Sequence, residues 1–335
     1  MSINSAIRNI LRKVLARYQY DIVPKVFVYD WQRGDQVQEP QEIILPNNAR
    51  EVLAPNNPNL LELKKRYKQT DFPFCDAMLW TDERVKVEDI LFFRGHNAYV
   101  FQEGRFNRNF FGYLLAYYYT KSIDVKGLLD ILKEDTAFGA ITYEIDQVQV
   151  SRDLIDSVLE IYFLENTLGI MSRNDYTILD IGAGYGRLAH RAVTAIPGLE
   201  RYLCTDAIAV SSFIADYYLG YRGIKPIAEV IHLDTIQNDL QKGSVDLAVN
   251  IHSFSECTPS AIEWWLRLLV EKDVPNLMIV PNSGKKLLTN DRQNFLPLLE
   301  KYGYRLAAME PKYKDPVVQK YALHPDYFHL YKLES

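Results

Sequence analysis

The densest chemistry in the sequence lies in Ile178-Leu-Asp-Ile-Gly-Ala-Gly-Tyr-Gly-Arg-Leu-Ala189, where three glycines alternate behind the acidic Asp180. Glycines at 182, 184 and 186 let a backbone turn tightly and approach a ligand closely. The apolar residues before them read as a strand, and Arg187 onward reads as a helix. Such a loop brings free backbone N–H groups to the carboxyl end of a strand, where open α/β sheets bind their ligands. A dinucleotide fingerprint sets its third glycine three residues after the second. Here Gly186 follows Gly184 by two, and Arg187 stands at the dinucleotide position.

The loop resembles motif I of class I methyltransferases, acid-x-Gly-x-Gly-x-Gly, at every position. That resemblance implies S-adenosylmethionine (SAM) as cofactor, with Asp180, Gly182, Ala183, Gly184 and Gly186 forming its cradle and Gly182 and Gly184 facing the methionine part. The next strand, Arg201-Tyr-Leu-Cys-Thr-Asp206, ends in an acid twenty residues beyond Gly186. A carboxylate there can accept a hydrogen bond from each ribose hydroxyl. Asp234, in His232-Leu-Asp234, falls where related enzymes hold the adenine amino group, or it is a turn residue.

A further strand ends in Val245-Asp-Leu-Ala-Val-Asn-Ile-His-Ser-Phe-Ser-Glu256. His252 is the candidate general base for an acceptor hydroxyl, since imidazole has an ordinary pKa of about 6.5. Glu256 is the candidate partner that orients or polarises it, as in a triad. Asn250 and Ser253 either hold the methionine moiety or the acceptor, or tie the loop together. Asn282, His96, His190 and His232 are weaker candidates for site roles. No adjacent acids follow this strand, so no metal is expected. Together with Ser151-Arg-Asp-Leu-Ile-Asp-Ser-Val-Leu-Glu160, these segments resemble the sugar O-methyltransferases of bacterial surface-polysaccharide and glycan clusters, over roughly residues 60–335. That resemblance implies methyl transfer to a sugar hydroxyl in glycan or polysaccharide biosynthesis.

The elements that must position these residues are legible from residue 151 onward. Ser151 is a plausible N-cap for a helix whose apolar stripe is Leu154, Val158, Ile161 and Leu164. Strands are expected at 177–181, 201–205, 229–233, 245–251 and 277–281, with helices at 187–196, 211–219, 261–272 and 294–302. Two last strands, 305–310 and 327–333, would form a reversed hairpin. The expected fold is α/β: a Rossmann-like seven-stranded class I methyltransferase sheet with an N-terminal mixed α/β arm and lid. Residues 151–335 form the catalytic domain in this reading, 19–150 the arm and acceptor lid, and 1–18 an amphipathic helix. Short strands are expected within 22–28 and 43–45, and helices over 60–67 and 110–120.

Ile3, Ile7, Ile10, Leu11, Val14 and Leu15 recur at helical spacing, between Arg8, Arg12, Lys13 and Arg17. Such a stripe can lie on an anionic membrane surface, pack on the chain itself, or meet a second copy in a homo-oligomer. The chain has 335 residues, is 48% hydrophobic and 24% charged, and carries a formal charge of −5. That balance fits a globular enzyme with a small-molecule or glycan acceptor and argues against a general nucleic-acid binder. Cys75, Cys204 and Cys257 form no paired framework and no zinc pattern, which fits a cytoplasmic protein, at most peripheral at the inner membrane face. Three rivals stay open: methylation of a small non-sugar metabolite, an NAD-dependent sugar dehydrogenase or epimerase, and a silent SAM-binding partner protein.

Overall fold

The computed structural model describes residues 11, 13–15, 17–18, 42–70, 90–95 and 110–334. Most of the amphipathic segment 1–18, the apolar run 22–28 and His96 lie outside the described residues. In chain order the main elements are α1 (Pro58–Lys68), α2 (Phe110–Ile123), β1 (Thr142–Ile145), β2 (Val148–Ser151) and α3 (Arg152–Leu168). They continue as β3 (Tyr176–Ile181), α4 (Arg187–Ala195), β4 (Leu199–Thr205), α5 (Ala209–Tyr221), β5 (Ala228–Val230) and β6 (Leu247–Ile251). The chain ends with α6 (Pro259–Glu271), β7 (Asn276–Val280), α7 (Leu296–Lys301), β8 (Tyr304–Pro311), α8 (Pro316–Tyr321) and β9 (Tyr327–Leu333).

The boundaries follow local chemistry. Asn57 accepts a hydrogen bond from Asn59 N at 2.9 Å and Pro58 opens α1, its missing N–H being one the first turn does not use. Ser151 caps α3 by accepting from Leu154 N at 2.9 Å, and Gly169, at φ 64°, ends it. Thr258 and Pro259 open α6 in the same way as the α1 pair. The β1–β2 hairpin turns through Asp146 and Gln147, both at positive φ (52° and 64°), with Asp146 held by Tyr118 Oη and Lys121 Nζ. Two positive-φ residues match the right-handed twist of the strands.

Seven strands form one sheet in the order β5-β4-β3-β6-β7-β9-β8. The pairs β3–β4, β3–β6, β4–β5 and β6–β7 are parallel, and β9 runs antiparallel to both β7 and β8. This is the expected α/β fold with its reversed final hairpin. Strand residues alternate between two cores. Ile178, Tyr202, Val249 and Met278 pack with α3 and α4, while Leu179, Leu203, Ala248 and Ile279 pack with α6 through Trp264 and Trp265. A third core joins Phe93 and Phe138 to Tyr185, Ile214 and Tyr218.

Several expectations shift. Residues 43–45 form no strand, and β5 stops at Val230 rather than Leu233. Helix α7 starts at Leu296, with Pro297 in its first turn. The β1–β2 hairpin, α8 and one-turn helices at Ile236–Asp239 and Ser253–Glu256 were not anticipated. No helix among the described residues is long and apolar enough to cross a membrane.

Candidate functional site

A crevice opens at the carboxyl ends of β3, β4 and β6, and its floor is the glycine loop. Gly182, Gly184 and Gly186 all take positive φ (81°, 57° and 84°), a region that L side chains rarely enter. Gly182 N and Ala183 N donate to Thr205 O at 2.8 and 3.0 Å, which clips the loop to β4. At Gly182 a side chain is also excluded by contact. A Cβ there would stand 2.3 Å from Ser253 Oγ, so the close neighbour of the first glycine is the loop after β6. Gly186 opens α4 beside Leu219 and does not line the crevice. Tyr185 turns away to the third core, where its ring meets Phe93 and Tyr218 and its hydroxyl donates to Asp153.

Two acids sit against this loop. Asp180 lies beneath it and accepts from Tyr202 Oη at 2.8 Å. Burial pushes its carboxyl up to about 7, against the lowering effect of the tyrosine hydrogen bond. Asp206 accepts from Gly184 N at 3.0 Å and from Ile208 N at 2.9 Å. Burial raises it to about 7 as well, with those backbone donors opposing the shift. A carboxylate offers about four acceptor sites. Asp206, which also takes a hydrogen bond from the Ser211 side chain, lines the crevice and keeps part of its acceptor capacity.

Asn250 and Asp234 take other places. Asn250 is fully buried, donates to Ile181 O (2.9 Å) and Ser253 Oγ (2.6 Å), and accepts from Phe254 N (2.9 Å). It ties the β6 loop to β3 and does not line the crevice. Asp234 is gripped by the Arg66 guanidinium of α1, at 2.8 and 2.9 Å, outside the crevice. The early end of β5 leaves Asp234 in the connection beyond it, where α1 packs.

His252 and Glu256 both line the crevice. His252 is at φ 68°, ψ −32°, where it opens the one-turn helix Ser253–Glu256. Its Nε2 faces Asp326 Oδ2 at 4.0 Å, and its Nδ1 is buried without a hydrogen-bond partner among the described residues. Burial, reinforced by the Arg152 charge, pushes its pKa down to about 3, so the ring is neutral at physiological pH. Glu256 instead accepts from Asn282 Nδ2 at 3.5 Å. An acid that faces His252 is thus Asp326, just before β9, which the spacing had not pointed to.

Sequence reasoning also missed the charged wall beside His252. Arg152, Asp153 and Asp156, all buried on α3, line the crevice. Arg152 Nε holds Asp156 Oδ2 at 2.9 Å, and buried Lys312 pairs with Asp156 and lies 3.7 Å from Asp326. Burial pushes the Asp156 carboxyl up, yet Lys312 and Arg152 hold it well below the carboxylate range. Arg187 grips Glu160 through two bonds of 2.8 and 3.0 Å. The available signal was the run of charges interrupting the apolar stripe of α3, one turn apart at Arg152, Asp156 and Glu160.

The remaining candidates are structural in their surroundings. His190 Nδ1 lies 3.2 Å from Tyr218 Oη, and burial, with Arg191 nearby, pushes its pKa down to about 2. His232 is also lowered by burial, beside Arg66. Asn282 N donates to Ser255 Oγ at 3.1 Å. Among the described residues no group of three or more His, Cys, Asp or Glu is placed to hold a metal ion.

No family model and no curated protein matches the chain. Solved structures similar to it include a SAM-dependent methyltransferase from Aquifex aeolicus (18% identity, 52% of this chain and 88% of that one, TM-score 0.39). Another is TrmK of M. capricolum in complex with S-adenosylhomocysteine (14% identity, 52% and 69%, TM-score 0.36). A third is the [4+2]-cyclase SpnF (15% identity, 57% and 85%, TM-score 0.39). Likeness at this level concerns the fold and assigns no reaction, as the presence of a cyclase illustrates.

Proposed function

We propose that the chain is a SAM-dependent O-methyltransferase acting on a sugar hydroxyl. One observation carries the reading. A single crevice joins a glycine loop and the Asp206 carboxylate, which keeps part of its acceptor capacity, to a wall of buried charges around a neutral histidine. The first end fits a nucleoside whose ribose donates two hydrogen bonds, with the backbone of residues 182–184 close to its amino-acid tail. The second end suits a polyhydroxylated acceptor better than a flat apolar one, since Arg152, Asp153 and Asp156 offer donors and acceptors.

When bound, SAM supplies a methyl carbon already activated by a sulfonium. The protein has to align the acceptor oxygen with that carbon and keep water out. In this reading His252, neutral at physiological pH, takes the hydroxyl proton as the O–C bond forms and the C–S bond breaks. Its burial makes it a weak base in isolation. Asp326 is the group positioned to stabilise the imidazolium that results. Asp180 stays beneath the loop, where it sets the loop's position with Tyr202.

The test has two arms. Calorimetric titration with SAM and with NAD should show saturable SAM binding and no NAD signal; NAD binding alone would retire the methyltransferase reading. Incubation with methyl-labelled SAM and a panel of glycosides, nucleotide sugars, phenols and amines should then label sugars. Transfer to phenols or amines alone would leave the methyltransferase and remove the sugar.

A further inference from the structure

A second cleft lies far from the glycine loop, on the outer edge of the sheet. It encloses about 450 Å³ between the tight turn Ser283–Lys286, the start of α7, and strands β8 and β9. Its floor is apolar, with Leu287 and Tyr304 buried, while Leu306 and Met309 on the outer strand stay 51% and 42% exposed. At its mouth stand Lys285 and Lys286, both exposed, while Glu300 also lines the cleft beside Tyr331. Neither has a carboxylate partner among the described residues; Lys285 Nζ lies 5.1 Å from the centre of the Tyr327 ring. Arg305 is committed to Glu334 at 3.1 Å and to Glu300 O.

His329 supplies a second, independent observation. It lines the cleft and is 2% exposed, its ring parallel to that of Tyr331. Burial pushes its pKa down, and the Gly284 backbone at the turn opposes that shift.

We propose that this cleft binds a single apolar chain ending in a phosphate, the chain lying along Leu287, Leu306 and Met309 and the phosphate against Lys285 and Lys286. Two adjacent cations match a dianionic head better than a carboxylate. The chain's own amphipathic segment, residues 1–18, fits less well, because Arg8, Arg12, Lys13 and Arg17 would meet a cationic mouth. A second copy pairing along β8 is disfavoured too, since the bulge between Leu306 and Ala308 distorts that edge. Binding here does not depend on the reaction proposed above.

The probe is decyl phosphate, titrated calorimetrically into the full chain below its micellar concentration. Octyl phosphate, decanoate, decanol and inorganic phosphate serve as comparators. Decyl phosphate should bind most tightly, with about a fourfold gain for each methylene beyond octyl. Inorganic phosphate, decanol and decanoate should each be at least about tenfold weaker. Leu306→Asp and the double change Lys285→Ala/Lys286→Ala, all at exposed positions, should each weaken binding about tenfold or more with unchanged thermal melts. A shift of the His329 ring resonances on saturation would support the placement. The proposal falls if decyl phosphate shows no saturable binding, if decanol binds equally well, or if binding survives both variants. It also falls if Leu306→Asp disperses a concentration-dependent dimer of a protein that ignores alkyl phosphates.

Discussion

Glu134, fully buried, and Asp206, partly buried in the lining of the crevice, are shifted in opposite directions. The Glu134 side chain is fully buried between Arg94, at 2.5 Å, and Arg191, at 3.0 Å, and takes a hydrogen bond from Ser151. Burial pushes its carboxyl up, but the two guanidinium charges win and hold it at about 2. Asp206 receives neutral donors, the N–H groups of Gly184 and Ile208 and the Ser211 side chain, and burial carries it up to about 7. Buried acids that are already neutralised serve the fold; one left with spare acceptor capacity and a high pKa marks a place where a ligand can complete the arrangement. Asp135 belongs to the first kind, since Arg94 and Arg222 both grip it.

The largest expected effect breaks the neutralised side. Glu134→Gln leaves Arg94 and Arg191 buried without their shared counter-charge, and should cost about 3–5 kcal/mol in urea unfolding. A loss below about 1 kcal/mol would show that the network contributes little. The SAM affinity of the folded fraction should not change.

Asp206→Ala attacks the other side. It removes two hydrogen bonds to a charged acceptor, each of about 1.5–3 kcal/mol, so SAM affinity should fall roughly a hundredfold or more by calorimetry. Stability without ligand should fall less than in Glu134→Gln, because the burial cost of the carboxylate disappears while Gly184 N and Ile208 N lose their acceptor. A stability loss comparable to that of Glu134→Gln would merge the two classes.

The pH dependence sharpens the contrast further. Asp206 has a folded pKa raised above its unfolded value, so the ligand-free protein loses stability from this group as pH rises from about 4 toward 7. Ribose binding needs the ionised form, so SAM affinity should weaken by up to tenfold per unit as pH falls below about 7. Glu134 has a depressed folded pKa. Its contribution is present above its unfolded value of 4.5 and is lost as pH falls toward 2. Titrations between pH 5.5 and 8, beside acid-unfolding curves, test both directions.

The smallest effect concerns His252, which holds a positive φ without being glycine. His252→Gly should be neutral or up to about 1 kcal/mol stabilising by thermal melting, with SAM affinity within about twofold of the parent. A clear stability loss would mean that the ring, and not the backbone turn, organises the loop.

Much of the frame was legible from local pattern. The glycine spacing, the apolar run before it and the Ser151 cap fix β3, α4 and the start of α3 through conformational rules that act within a few residues. The β1–β2 hairpin was not legible, because its turn uses Asp146-Gln147 and lacks the glycine that usually announces two positive-φ positions. Within the site, Asp206 came from its spacing, and Asp180 and the loop glycines from the resemblance of their motif. The charged side chains of α3 were visible as residues, but not as the crevice wall.

What the sequence by itself determined is therefore the strand–loop–helix geometry and the acid twenty residues beyond it, since chirality, periodicity and glycine freedom are local properties. Only the tertiary structure decided that Asp326 faces His252, that Asn250 ties two loops together, and that Arg66 grips Asp234 across 168 residues of chain. The reason is physical. Which charges meet depends on which faces packing brings together, and a buried carboxylate titrates according to neighbours supplied by other elements, not by its own position in the chain.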